Sequence, residues 1–196
     1  ANALTGGLSN TGAVSARRDI FAFADQGMTG VNFSAGAKAV VSSFHGGIQG
    51  TKVAAGYDSA TVEADDAIAL GNITSSRNVS ATAGAGLSAS VASAGLDLSL
   101  LAYGGGVNGT TWSAGEDLSV KSYGGNSDIR ATLASARATD GDKRPLAITC
   151  RRSDSSNNSS SSSLTTNTAQ PASRSAKISA RICAAAPTST PQVGCE

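Results

Sequence analysis

A seven-residue phrase, Ser-Ala-Gly-x-Asp-Leu-Ser, begins at Ser93 and again at Ser113, and weaker copies begin at Ser15, Ser34, Ala54 and Thr74. The starts are spaced 19, 20, 20, 19 and 20 residues apart. No other feature constrains the chain as much. A unit of about 20 residues cannot bury an apolar face alone, so successive units must stack, and stacking equivalent turns lays each strand beside its equivalent in parallel.

Alignment on these starts separates columns by chemistry. The position before each start reads Val14, Phe33, Val53, Ile73, Ala92 and Trp112, apolar in every copy and so expected to point inward. Five residues after the start come Ile20, Ala39, Ser59, Val79, Leu98 and Leu118, and two further on come Ala22, Val41, Thr61, Ala81, Leu100 and Val120. Smaller or polar residues alternate with them, as a strand with one buried face requires. Between the two apolar groups runs a polar column, Asp19, Lys38, Asp58, Asn78, Asp97 and Asp117, beside a position occupied by Arg17, Gly36, Gly56, Gly95 and Gly115. Glycine next to Asp or Asn reads as a bend. A second bend is expected twelve residues after each start, at Gly27, Gly46, Asp66, Gly86, Gly105 and Gly125, because recurrent glycine marks a recurrent turn.

Each repeat then holds two or three short strands. The fold class expected for residues 1–134 is all-β, a right-handed parallel β-helix (solenoid) of about six coils of 19–20 residues starting near residues 15, 34, 54, 74, 93 and 113. Neighbouring strands about 4.8 Å apart would make a rod on the order of 30 Å long. Helical repeats fit poorly, since the unit is too short for a helix pair, a 3.6-residue period is missing, and each glycine inside a helix would cost about 1 kcal/mol. Leucine-rich repeats share the period but not the Leu-x-x-Leu-x-Leu pattern.

Composition divides the chain near Asp140. Residues 1–144 contain 22 of the 23 glycines, no proline or cysteine, and 10 Lys+Arg against 12 Asp+Glu. Residues 145–196 hold all four prolines, Cys150, Cys183 and Cys195, and twelve serines. A seventh copy starts at Ser135-Ala136-Arg137 and breaks off, so residues 135–196 read as a degenerate last repeat and a tail. Apolar periodicity is lost there, and a disordered tail is expected. The break fits either a native tail or a change of reading frame near Asp140. Neither end of the repeat block shows a convincing cap, so the chain is expected to be an excerpt of a longer polypeptide.

Units such as Asn72-Ile73-Thr74-Ser75-Ser76-Arg77-Asn78-Val79-Ser80-Ala81-Thr82-Ala83-Gly84 and Thr111-Trp112-Ser113-Ala114-Gly115-Glu116-Asp117-Leu118-Ser119-Val120 resemble the repeats of filamentous-haemagglutinin-type adhesins. The resemblance covers roughly residues 8–130. It implies a virulence-associated fibre of Gram-negative bacteria, secreted by a two-partner pathway through an outer-membrane secretion partner, held at the cell surface, and bound to a host-cell receptor or glycan. The family's secretion domain with its Asn-Pro-Asn-Leu motif and its Arg-Gly-Asp motif do not occur in this sequence.

Chemistry-bearing candidates are few. Asp97 and Asp117 should lie one coil apart, about 5 Å, near the carboxylate separation of retaining glycosidases; but the same column holds Lys38 and Asn78, so it repeats with the scaffold, as bend residues do. His45, the sole histidine, lacks a nucleophile nearby in sequence and reads as a loop residue. Trp112 reads as core rather than a sugar-stacking platform. The glycine clusters at 84–86 and 104–106 lack the Lys-Ser/Thr of a phosphate loop. Sequons at Asn72, Asn78, Asn108 and Asn158 are common by chance in a chain rich in Ser and Thr. The cysteine spacing matches no zinc motif, and no metal, cofactor or catalytic residue is expected. No basic cluster interleaved with aromatics suggests a nucleic-acid partner, and no apolar run approaches the roughly 20 residues of a membrane span.

The function expected is that of a fragment of a secreted, cell-surface adhesin shaft that acts by display and not as an enzyme. The alternative is a β-helical polysaccharide-binding or polysaccharide-degrading protein. An ice-binding solenoid would need a flat Thr ladder, and Thr61, Thr82 and Thr111 do not align into one.

Overall fold

The computed structural model describes residues 6–9, 12–124 and 128–136, and the backbone of three further strands at 146–151, 161–166 and 180–182. Every regular element among the described residues is a β-strand. After β1 (Leu8–Ser9) and β2 (Val14–Ala16), short and long strands alternate through six coils. The short ones are β3 (Ile20–Ala24), β5 (Ala39–Ser43), β7 (Ala60–Ala64), β9 (Val79–Ala83), β11 (Leu98–Ala102) and β13 (Leu118–Tyr123). The long ones are β4 (Met28–Ala35), β6 (Ile48–Ala55), β8 (Ile68–Ser75), β10 (Leu87–Ala94), β12 (Val107–Ala114) and β14 (Ile129–Ala136). Among these twelve, short strands pair with short strands, in the order β3 to β13, and long strands with long strands, in the order β4 to β14, all in parallel. This is a parallel β-solenoid of about six turns, with the two sheets enclosing one core.

Beyond it, β15 (Leu146–Arg151) adds in parallel to β13, β16 (Ser161–Thr166) adds to β15 and β17 (Ala180–Ile182) to β14, both antiparallel. The expected disorder of the tail otherwise falls on residues outside those described, as does Gly125.

The repeat starts coincide with the register of the long sheet. Ser15 pairs with Ser34, Ser34 with Ala54, Ala54 with Thr74, Thr74 with Ser93, Ser93 with Ser113, and Ser113 with Ser135 of the seventh copy. The inward column next to them, Phe33, Val53, Ile73, Ala92 and Trp112, is fully buried. Val14 departs from this column. It is 36% exposed, because among the described residues β2 pairs on one side alone, with β4.

On the short sheet, Ile20, Val79, Leu98, Leu118, Val41, Leu100 and Val120 are buried. Ser59 and Thr61 are not, and their places are taken by Ala60 and Val62. The pairing shows why: Ala39 is opposite Ala60, and Ala60 is opposite Val79. The corner Gly56–Ser59 holds one residue more than its neighbours, which flips each side chain of a strand read at fixed spacing. Ser75 accommodates the extra residue. Its hydroxyl donates to the Asp58 carbonyl and accepts the Arg77 N–H at 3.1 Å, where other coils have alanine.

Each long strand also bends. In β8 the residues facing in are Ile68, Leu70, Ile73 and Ser75, so Gly71 and Asn72 both face away from the core. The bend turns two sheets into three faces, and the first inward position, Met28, Ile48, Ile68, Leu87, Val107 and Ile129, becomes a continuous apolar ladder. Fully burying each such side chain contributes about 1.5–3 kcal/mol.

Candidate functional site: the corners and outer faces

The two corners that join the sheets carry most of the charged residues. The corner entering the short strands packs tightly on its neighbours: a Cβ built on Gly115 would lie 1.7 Å from the Gly95 carbonyl oxygen, and one on Gly95 1.9 Å from that of Ser76. Glycine is required there by close backbone approach. Beside it the expected polar column forms a side-chain ladder. Asp19 Oδ1 accepts the Lys38 N–H at 3.1 Å, Asn78 Oδ1 accepts that of Asp97 at 3.3 Å, and Asp97 Oδ1 accepts that of Asp117 at 3.3 Å. Ser59, not Asp58, occupies this column in the third coil, following the shifted register. Carboxylates engaged on the next coil's backbone hold the corner together, and this arrangement assigns Asp97 a structural task.

The corner leaving the short strands carries exposed aromatic rings. Gly27, with φ of 100°, takes the left-handed turn expected of it, and Gly46, Gly86 and Gly105 also lie in this corner. Phe44 (58% exposed) stacks on Phe23 with centroids 6.5 Å apart, and Tyr103 (54% exposed) stacks on Tyr123 at 5.9 Å. Each pair spans two successive coils; Phe44, Tyr103 and Tyr123 share one offset, ten residues after the start of their coils, which the first and fourth coils fill with Asp25 and Gly84, so the column carried no apolar signature. His45 is here too, its Nδ1 2.7 Å from Asp25 Oδ1 on the coil before. Both groups face water, so the pair is worth little to stability.

Trp112 is fully buried, its Nε1 donating to the Ala89 carbonyl at 3.4 Å. Of the sequons, Asn72 and Asn108 are exposed on the long sheet, while Asn78 is part of the ladder. No group of three or more His, Cys, Asp or Glu is placed to hold a metal ion among the described residues, and no helix among them is long and apolar enough to cross a membrane.

The outer faces between the corners are regular columns. On the short sheet they read Phe21, Val40, Thr61, Ser80, Ser99 and Ser119, and beside them Phe23, Ser42, Glu63, Thr82, Leu101 and Lys121. Thr61 and Thr82 thus stand in adjacent columns and Thr111 on the other sheet. A scan against protein-family models, a search of curated proteins and a search of solved structures each found no match.

Proposed function

We propose that the chain is a section of a secreted, cell-surface shaft of the filamentous-haemagglutinin-type adhesins, and that it works by display: a stiff rod presenting outer columns to a host-cell receptor or glycan, with no chemical step of its own. The regularity of those columns carries the reading. Through six coils the inner positions hold the rod together, the ladder holds its corner, and the variable chemistry is confined to outward side chains, which is the division of labour a display scaffold needs. Beads coated with the purified chain should adhere to host epithelial cells more than beads coated with a chemically denatured sample; equal retention of both would refute attachment by the folded rod.

One observation favours the polysaccharide-binding alternative. Tyr103 presents more than half of its surface to solvent and is braced by Tyr123, and an exposed ring held in place is a platform for a sugar face. Under that reading, Tyr103→Ala lowers retention on a polysaccharide column at least about tenfold, the equivalent of about 1.4 kcal/mol. Unchanged retention would count against it.

A further inference from the structure

We propose that the corner leaving the short strands binds a polysaccharide of amino sugars with free ammonium groups, laid along the rod with one sugar seated between Tyr103 and Asp65. This rests on the polysaccharide-binding reading above and names its ligand. The N–H groups of Phe44, Asp65, Gly84 and Tyr103 donate to the carbonyls of Ala24, Ser43, Ala64 and Ala83, so the four residues stand in one column, a coil apart. One face of the Tyr103 ring lies on Tyr123 in the coil after it. The opposite face turns toward the fourth coil, where Gly84 has no side chain, and Asp65 bounds the gap from the third. A Cβ on Gly84 would lie 1.9 Å from the Asp65 carbonyl oxygen, so close backbone approach keeps that level bare.

From Asp65 to Tyr103 is two coils, about 10 Å. A sugar ring resting on Tyr103 at about 4 Å fits within this height and carries its amino group toward the carboxylate. Thr82 and the exposed Ser88 flank the gap in the fourth coil and offer hydroxyls to those of the sugar.

The charge at this edge selects a cation. Across the third, fourth and fifth coils, the corner and the outward positions next to it carry the exposed Glu63, Asp65 and Asp66 and no other charge. None of these three carboxylates has a hydrogen-bonding or ion-pair partner among the described residues. The basic groups along the same edge are engaged or distant: His45 meets Asp25 and Arg130 meets Asp128, both at 2.7 Å, and Lys121 lies in the sixth coil, beyond Tyr103. Three like charges this close repel one another, and a bound ammonium relieves the repulsion. An aromatic face beside carboxylates holds a charged sugar twice over, by its C–H face and by its charge.

Phe44, 58% exposed, stands one coil to the other side of Asp65. Ring, acid and ring thus follow in a line over about 14 Å. An extended chain of amino sugars presents a ring face and a positive charge at regular intervals, which suits that line better than the single charged head of a lysine or arginine side chain.

Isothermal titration of the full chain with hexamers of glucosamine, N-acetylglucosamine and glucose tests this. The glucosamine hexamer should bind at least about tenfold more tightly than either neutral one at about 0.1 M salt, and lose that advantage at about 1 M, where the Debye length falls from about 10 Å to about 3 Å. Asp65→Asn with Asp66→Asn, nearly isosteric changes at exposed positions, should remove the preference. Tyr103→Ala should weaken the glucosamine hexamer at least about tenfold. Equal binding of charged and neutral hexamers overturns the amino-sugar assignment and leaves the sugar platform standing. Binding of none of the three, or binding indifferent to Tyr103→Ala, overturns both. A pentalysine peptide bound as tightly as the glucosamine hexamer, and lost with Tyr103→Ala, also overturns the assignment, in favour of a basic protein partner.

Discussion

Ser43 stands in a column whose other members are Ala24, Ala64, Ala83, Ala102 and Ser122. The Ser122 hydroxyl donates to the Gly105 carbonyl at 2.7 Å, whereas among the described residues the buried Oγ of Ser43 has no partner. An unpaired buried hydroxyl costs about 1–3 kcal/mol, and alanine already fits this column. Ser43→Ala should therefore raise the free energy of unfolding by about 1 kcal/mol in a denaturant titration; a fall would mean the hydroxyl is satisfied. Trp112 makes the opposite demand. Its indole occupies the space where a Gly109 side chain would be, with a Cβ there 2.2 Å from Nε1. Gly109→Ala should cost about 1–3 kcal/mol, typical of overpacking, and a neutral result would show that the indole has room to move.

At the scale of one coil, the polar corner column is a structural device, which separates two substitutions that a solvated bend would treat alike. Asp97→Ala removes the acceptor of the Asp117 N–H and should destabilise the chain by about 1 kcal/mol, while Asp97→Asn keeps a carbonyl oxygen there and should stay close to the parent. Equal stability of the two would put the ladder in doubt. The pairing register of the long sheet was legible in the sequence, because Ser15 through Ser113 mark positions that pair directly. The third short strand was not. Fixed spacing pointed to Ser59 and Thr61, and the alternation of Ala60, Val62 and Ala64 was the signal that one residue had been added at the corner. Met28, Ile48, Ile68, Leu87, Val107 and Ile129 escaped notice for another reason: each follows closely on a turn position, and the bend that brings them inward has no mark of its own in composition.

For the molecule as a whole, periodic burial makes a fold easy to read and a binding function hard to read. Inward columns repeat because every coil faces the same core, so Phe33, Ile73 and Leu100 announce themselves by position. Outward residues face no common core, so the identities of Tyr103, Phe44 and Lys121 change from coil to coil even where their positions recur. The ladder was legible as a column but not as a set of hydrogen bonds, since Asp and Asn favour bends in either case.

The most direct test of the solenoid is hydrogen exchange by mass spectrometry on the isolated chain, because ladder amides inside a packed sheet exchange only through opening. The structure predicts bands of protection recurring every 19–20 residues from β3 through β13, strongest in the central coils and weaker at the corners. Protection without that period, or uniform rapid exchange across β5 to β11, would contradict it.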